Sequence, residues 1–319
     1  MAGPQNLFSN QMRIVSLIAS ATEIVCALGA SKELVGRSHE CDYPESVSSL
    51  PVCSSSKVNV RGSSREIDNQ VKTIVEKALA VYDVKVDILK NLKPDVIVTQ
   101  DQCEVCAVSL KDVEAAVCSW LDSKPNIVTL KPDSLKDFWE DIRRVAEAVG
   151  RKAKGEALIS GSKKWMEGIV RKIPKAKQKL SIACIEWFDP LMAAGNWIPE
   201  MIEMLGARPL FGKPGQHSPY MTWAELKAKD PDTIITMPCG WDIKRSLEEI
   251  NVLTKNPAWK DLKAVKENKV YITDGNQYFN RPGPRLVESF EIFAEILYPK
   301  VFDFGHKRRA WKYLTQSRQ

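Results

Sequence analysis

The feature that most constrains this chain is a pattern it uses twice. Leu92-Lys-Pro-Asp-Val-Ile-Val-Thr99 and Lys229-Asp-Pro-Asp-Thr-Ile-Ile-Thr236 each set a Pro-Asp break before an apolar run that closes on threonine. Each leads shortly to cysteine, Cys103 and Cys106 in the first copy and Cys239 in the second. Short β-branched runs after such a break read as buried strands. A second echo points the same way: Leu28-Gly-Ala30 and Leu205-Gly-Ala207 each close a helical stretch on glycine, the residue suited to a left-handed helix end. Two copies of one plan predict two similar α/β lobes, each with a polar, cysteine-bearing loop after a buried strand. In open α/β sheets that edge is where ligands bind.

The remaining segments alternate in the same way. Strands are expected at 13–18, from Leu34, at 126–130, 179–185, 233–237 and 269–273. Helices are expected after the capping boxes Ser20-Ala-Thr-Glu23, Ser63-Ser-Arg-Glu66 and Thr222-Trp-Ala-Glu225, after the cap Ser134-Leu-Lys-Asp137, and from Ser246-Leu-Glu-Glu249. Further helical stretches are expected at 86–92, 198–205 and 285–297, and residues 45–62 read as loop. Such alternation indicates mostly parallel sheets. Between the halves, Ala153, Ala157, Gly161, Trp165 and Ile169 recur every four residues until Pro174. Read as one helix, 151–173 would span about 35 Å at 1.5 Å per residue; the other reading is two helices broken at Gly161. The expected organisation is a flexible N-terminus 1–12, an N-terminal α/β lobe 13–150, a backbone helix 151–173, a C-terminal α/β lobe 174–300 and a basic tail 301–319. The tail, which holds His306-Lys-Arg-Arg-Ala-Trp-Lys312, reads as a solvated end.

Composition narrows the function classes. With 44% hydrophobic and 27% charged residues the chain reads as a soluble globular protein. No apolar run approaches the roughly 18 residues a membrane span needs. Charge of both signs is mixed along a chain of net charge +6, so nucleic acid is not an expected partner. Residues 1–12 carry neither a basic nor an apolar leader region, which gives a cytoplasmic protein as the expectation. Eight cysteines in a chain of this length without such a leader suggest thiols, core packing or metal ligation rather than a disulfide framework. No Walker loop, Gly-x-Gly-x-x-Gly fingerprint or Gly-x-Ser-x-Gly elbow is present.

Several segments, in order, resemble one known family. They are Ile14-Val-Ser-Leu-Ile-Ala-Ser-Ala-Thr-Glu-Ile-Val-Cys-Ala-Leu-Gly29, Leu34-Val-Gly-Arg37, Tyr43-Pro44, Leu92-Lys-Pro-Asp-Val-Ile97, the 151–173 stretch, Asp230-Pro-Asp-Thr-Ile-Ile235 and Val270-Tyr-Ile-Thr-Asp274. Together they are similar to the class III substrate-binding proteins of bacterial metal, siderophore, haem and vitamin B12 uptake, the helical-backbone metal receptor superfamily, with cobalamin-binding members nearest. The resemblance implies two Rossmann-like α/β lobes joined by one long helix, little hinge motion and a ligand held in a cleft between the lobes. With no leader seen, a cytosolic offshoot of that family is expected.

On that plan the strand-end loops supply the ligand-binding candidates: Tyr43, Gln100, Asp101, Trp187, Asp189, Trp197, His217, Trp241, Asn276, Tyr278, Phe279 and Arg281. Aromatic walls suit a flat ring through stacking and burial, and an arginine suits a carboxylate or phosphate. Cys41, Cys103, Cys106 and Cys239 form a soft donor set for zinc or iron; a redox pair or inert buried thiols are the other readings. His39 beside Glu40 is the acid/base candidate, with a structural hydrogen bond as the plainer reading. Cys26, Cys118 and Cys184 read as core, as do Trp120, Trp139, Trp165 and Trp259. Ser20 and Thr22 at a helix start could hold an anion or simply cap it. The leading function is a binding protein for a planar or corrinoid-like cofactor, such as cobalamin or another tetrapyrrole, or for a metal chelate. The alternatives are a metal-dependent enzyme with the cysteine site, and a metal or cofactor sensor or chaperone. Oligomeric state is left open.

Overall fold

The computed structural model describes residues 11–76, 82–100, 125–175 and 178–314. The expectations placed on Asp101, Cys103, Cys106, Cys118 and Trp120 lie outside the described residues. The chain forms two compact α/β units: 1–57, 74–131 and 141–158 make the first, and 58–73, 132–140 and 159–319 the second. Segments 58–73 and 132–140, read from the sequence with the N-terminal half, thus group with the second unit.

The first unit holds β1 (Ile14–Ser16), β2 (Leu34–Arg37), β3 (Ser54–Ser56), β4 (Tyr82–Val84), β5 (Val96–Gln100) and β6 (Asn126–Leu130). Its main sheet runs in the order β2-β1-β5-β6, all parallel. β1 and β5 are buried along their whole length, as strands covered on both faces must be. Val15, Leu17, Cys53, Leu89 and Ile97 form one core cluster behind them. β3 and β4 make a separate antiparallel pair. The 45–62 stretch is therefore not plain loop, since it also contains a 3-10 turn at Glu45–Ser49.

The second unit holds β7 (Ser181–Trp187), β8 (Met192–Ala193), β9 (Arg208–Pro209), β10 (Thr233–Thr236), β11 (Val270–Thr273) and β12 (Trp311–Tyr313). Its sheet runs β12-β11-β10-β7-β8, with β9 also on β7. β7, β10 and β11 are parallel. β12 pairs antiparallel with β11, which corrects the reading of the basic C-terminal segment as a solvated tail. Ala310 and Trp311 are buried, and so is His306. An apolar tryptophan and an open sheet edge give that segment more to gain by folding back than by staying in water.

The helix Lys152–Val170 is continuous, about 28 Å long at 1.5 Å per residue. It does not break at Gly161, where an added Cβ would meet nothing within 4 Å. Trp165 on this helix is 51% exposed, with Nε1 donating to Glu291 Oε1 at 2.6 Å, so it is not the packing residue expected. Two expected helix starts also differ. The helix Ala19–Ala27 begins before Ser20, with Ile18 at its N-cap and no side-chain cap. Asp242, not Ser246, caps the helix Ile243–Glu249, accepting from Arg245 N. The boxes at Ser63, Ser134 and Thr222 form as expected, each serine or threonine oxygen accepting from the amide of its acidic partner three residues on.

Candidate functional site

Parallel strands send their following loops to one edge, so each unit has a carboxyl edge where polar residues gather. In the first unit that edge carries the segment after β2. His39 N donates to Ser54 Oγ at 3.2 Å, and its Nδ1 lies 2.8 Å from the same oxygen. Tyr82 Oη donates to Glu40 Oε1 at 2.7 Å, and the His39 and Tyr82 rings meet edge-on at 4.9 Å. Glu40 and His39 Nε2 are 4.0 Å apart. Burial holds His39 below its usual value, outweighing the Glu40 carboxylate, while Lys85 and Arg37 push the same way as burial. The imidazole is therefore held in its neutral form, the form that ligates metals. Tyr43 stands 45% exposed beside this cluster in sequence. Tyr82, which the sequence reading missed, contributes its ring and hydroxyl because β4 runs against β3. Gln100 ends β5 and is buried.

Cys41 is buried and its Sγ accepts a hydrogen bond from Thr22 Oγ1 at 3.0 Å. Cys26 and Cys53 thiols are both pushed up to about 11, chiefly by burial, and burial pushes Cys184 up as well. Such thiols stay protonated and unreactive at neutral pH. Cys26 is only half-buried, against the expectation of a core residue. Cys239 is exposed in the second unit. Among the described residues, no group of three or more His, Cys, Asp or Glu side chains is placed to hold a metal ion.

In the second unit the loops after β7, β10 and β11 are tied together by backbone. Met237 N bonds to Ile185 O at 2.8 Å, Cys239 N to Glu186 O at 3.2 Å and Asn276 N to Trp241 O at 3.1 Å. Asn280 Nδ2 reaches both Met237 O and Gly275 O, at 2.8 and 3.1 Å. Only glycine fits at 275, because a Cβ there would lie 2.2 Å from Pro238 O. This closeness makes the three loops one platform.

The platform is where most ring candidates fall, and burial sorts them. Phe279 is fully buried at φ +51°, its N donating to Ser289 Oγ and its ring 4.9 Å from Phe293. It is a core residue rather than a wall open to a ligand, which corrects the reading of its ring as a ligand contact. Trp197 is also buried, with Nε1 donating to Phe279 O at 2.7 Å. Trp187 and Trp241 are mostly buried and pack on each other at 4.9 Å. Trp187 Nε1 donates to Ser64 O at 3.1 Å, and the Arg245 guanidinium lies 4.2 Å over Trp241. These tryptophans hold segment 58–73 onto the platform. Tyr278 is buried under Arg285.

Asp189, Asn276, Arg281 and His217 are the polar candidates. Asp189 takes a two-pronged ion pair from Arg65, with Nε at 2.9 Å from Oδ2. Arg281 is nearly buried and donates from Nη2 to Asn276 Oδ1 at 3.2 Å. His217 is exposed. The sequence gives no sign of Arg65 because nothing local marks an arginine that will pair with a carboxylate 124 residues away; Arg245 stands only four residues from Trp241, and its distant partner is the backbone oxygen of Gly62.

The comparisons with known proteins bear on what this scaffold is. A family model described as periplasmic binding protein matches residues 14–277. A Bacillus subtilis (strain 168) protein described as an uncharacterized ABC transporter substrate-binding lipoprotein, YvrC, is 24% identical over 301 residues, 91% of this chain and 81% of that one. Solved structures share the fold. A possible iron-binding, periplasmic solute-binding protein from Staphylococcus epidermidis aligns at TM-score 0.68 and 21% identity, covering 90% of this chain and 98% of that one. The periplasmic haem-binding protein RhuT from Roseiflexus sp. RS-1 aligns at 0.67 and 20%, covering 91% and 99%. The periplasmic vitamin B12 binding protein BtuF of Vibrio cholerae aligns at 0.63 and 18%, covering 89% and 96%.

These relatives overturn the expectation of a cytoplasmic protein, since they are a substrate-binding lipoprotein and periplasmic binding proteins. The features behind that expectation do not bear on compartment. The absence of a leader pattern in residues 1–12 says nothing of where the protein works. With a family match across 14–277 and two α/β units built around parallel sheets, the chain belongs to the periplasmic binding protein family.

Proposed function

We propose that this protein is the solute-binding component of an ABC-type importer, acting outside the cytoplasm, and that its solute is a chelated metal: haem, a corrinoid or an iron–siderophore complex. The observation that carries the reading is the family match running through both α/β units. Structures of the same fold described as haem-binding, vitamin B12 binding and possible iron-binding proteins support the solute class. The chemistry of the carboxyl edges fits it too. A neutral His39, the exposed Tyr43 and the Tyr82 phenol bonded to Glu40 are the nitrogen and oxygen donors that haem and ferric iron accept. In the second unit, Arg281 suits a carboxylate borne by the ligand, and Asn276 fixes its fork.

The test is a thermal-melting screen of the purified protein against haemin, cyanocobalamin, and ferric hydroxamate and catecholate siderophores. A solute at 100 times its Kd adds about 2.7 kcal/mol of stability, enough to raise Tm clearly. One class raising Tm, with the rise reduced in His39→Gln or Tyr43→Ala for an iron ligand, supports the reading. No shift with any of them overturns the solute class.

A further inference from the structure

The basic C-terminal segment, read from the sequence as a loose end, is folded, and its cations line a groove of about 620 Å³ on the second unit. Lys244, Arg308, Arg309 and Lys312 share this groove with Asp242, Asp274 and Glu248. The two signs are not in the same state. Asp242 accepts from Arg245 N at 2.7 Å as a helix cap. Asp274 Oδ1 accepts from Asn276 N and Gln277 N at 3.0 and 2.8 Å. Glu248 lies 3.8 Å from Arg245. The carboxylates are thus engaged by neighbours within the fold. Among the described residues, Lys244, Arg308 and Lys312 have no carboxylate within ion-pair distance.

The segment that carries Arg308, Arg309 and Lys312 is also held in place from beneath. Glu295, buried, accepts from Phe304 N, from His306 N at 3.1 Å and from Trp311 Nε1 at 2.6 Å. His306 Nε2 lies 2.7 Å from Glu291 Oε2, and Arg309 Nη2 donates to His306 Nδ1 at 3.2 Å, which leaves the ring proton on Nε2 facing Glu291. Arg308 N donates to Trp311 O at 2.7 Å across the turn. Arg308 sits at φ +73°, a left-handed conformation that a branch-bearing residue adopts at a cost and glycine adopts freely. The turn that carries Arg308 is thus pinned to a buried carboxylate, and its backbone sets the side of the groove from which the arginine starts. With the backbone already fixed, only side-chain freedom is lost on meeting an anion.

We propose that this groove is a second binding site, for a phosphate-bearing anion, in which Arg308 and Lys312 with Lys244 take the phosphate oxygens by charge-assisted hydrogen bonds. Free oligophosphates and the headgroups of anionic phospholipids share that chemistry. The site is independent of the metal-chelate reading.

The test uses the full chain at low salt. Binding of sodium tripolyphosphate is followed by calorimetry, and binding to phosphatidylglycerol vesicles by co-sedimentation, with phosphatidylcholine vesicles as blank. The variants are Arg308→Gly/Lys312→Gln and, as a control of equal charge change, Lys164→Gln/Lys175→Gln. Glycine at 308 relieves the backbone while removing the charge, so that variant folds. Salt-sensitive binding that falls about tenfold or more in Arg308→Gly/Lys312→Gln but not in the control is expected, from the loss of charge-assisted hydrogen bonds. Response to tripolyphosphate alone identifies a free anion as the ligand, and response to vesicles alone a headgroup. No binding to either, or an equal fall in both variants, overturns the proposal.

Discussion

At the scale of single residues, burial decides which side chains are open to a ligand. Phe279 looks from the sequence like a ring at the end of a strand, and so does Trp197, yet both are enclosed and bonded to each other through Trp197 Nε1 and Phe279 O. Phe279→Ala is therefore expected to cost about 3–5 kcal/mol of stability, as deletion of a buried phenylalanine does. Urea unfolding checks it, and a fall in ligand affinity with unchanged stability would count against a core role. His39 makes a pH prediction. Its folded value is lowered by burial, so the folded state binds fewer protons than the unfolded chain. Its contribution is complete above the unfolded value of about 6.5 and is lost as the pH falls below it toward the lowered folded value. Melting temperature recorded from pH 8 to pH 5 should fall on the acid side, and His39→Gln should flatten that part of the profile. Of the cysteine donor set, only Cys41 and Cys239 lie among the described residues, and Cys41 is buried against Thr22.

Elements were the more legible level. The helix Val86–Leu92 and the strand Asn126–Leu130 have the bounds expected from the sequence, because each is a short apolar run between clear breakers. The capping boxes at Ser63, Ser134 and Thr222 are there for the same local reason. Ser20-Ala-Thr-Glu23 has the same spelling and forms no box. Its helix starts two residues earlier than a Ser20 cap would give, with Ile18 as N-cap, and Thr22 turns to Cys41, a partner that no local pattern announces. β12 was illegible for a similar reason. Its cations dominate the reading of residues 306–312, whereas its fate is set by Glu295, which lies on the helix Leu286–Leu297. Glu295→Ala leaves the buried His306 amide and Trp311 Nε1 without an acceptor, at about 1–3 kcal/mol each, and frees the half-buried Phe304 amide as well. The expected result is loss of hydrogen-exchange protection in β12 first and β11 next, with a lower urea midpoint. Unchanged protection of β12 would contradict this account of the C-terminal segment.

For the molecule as a whole, the doubled Pro-Asp strand pattern and the ordered segments around it carried the two-unit α/β fold and the family. Compartment was not legible there. The character of residues 1–12 carries no signal of compartment, and the relatives point away from the cytoplasm. No helix among the described residues is long and apolar enough to cross a membrane. The solute class rests on chemistry at the strand ends, where the sequence marks candidate residues but not which of them burial removes. The most direct test is native mass spectrometry of the protein after incubation with an equimolar pool of haemin, cyanocobalamin and ferric siderophores. The account predicts a single adduct, one metal chelate per chain, that survives competition from the others. Ligand-free protein as the sole species, at concentrations where a haem-binding relative is saturated, would contradict it.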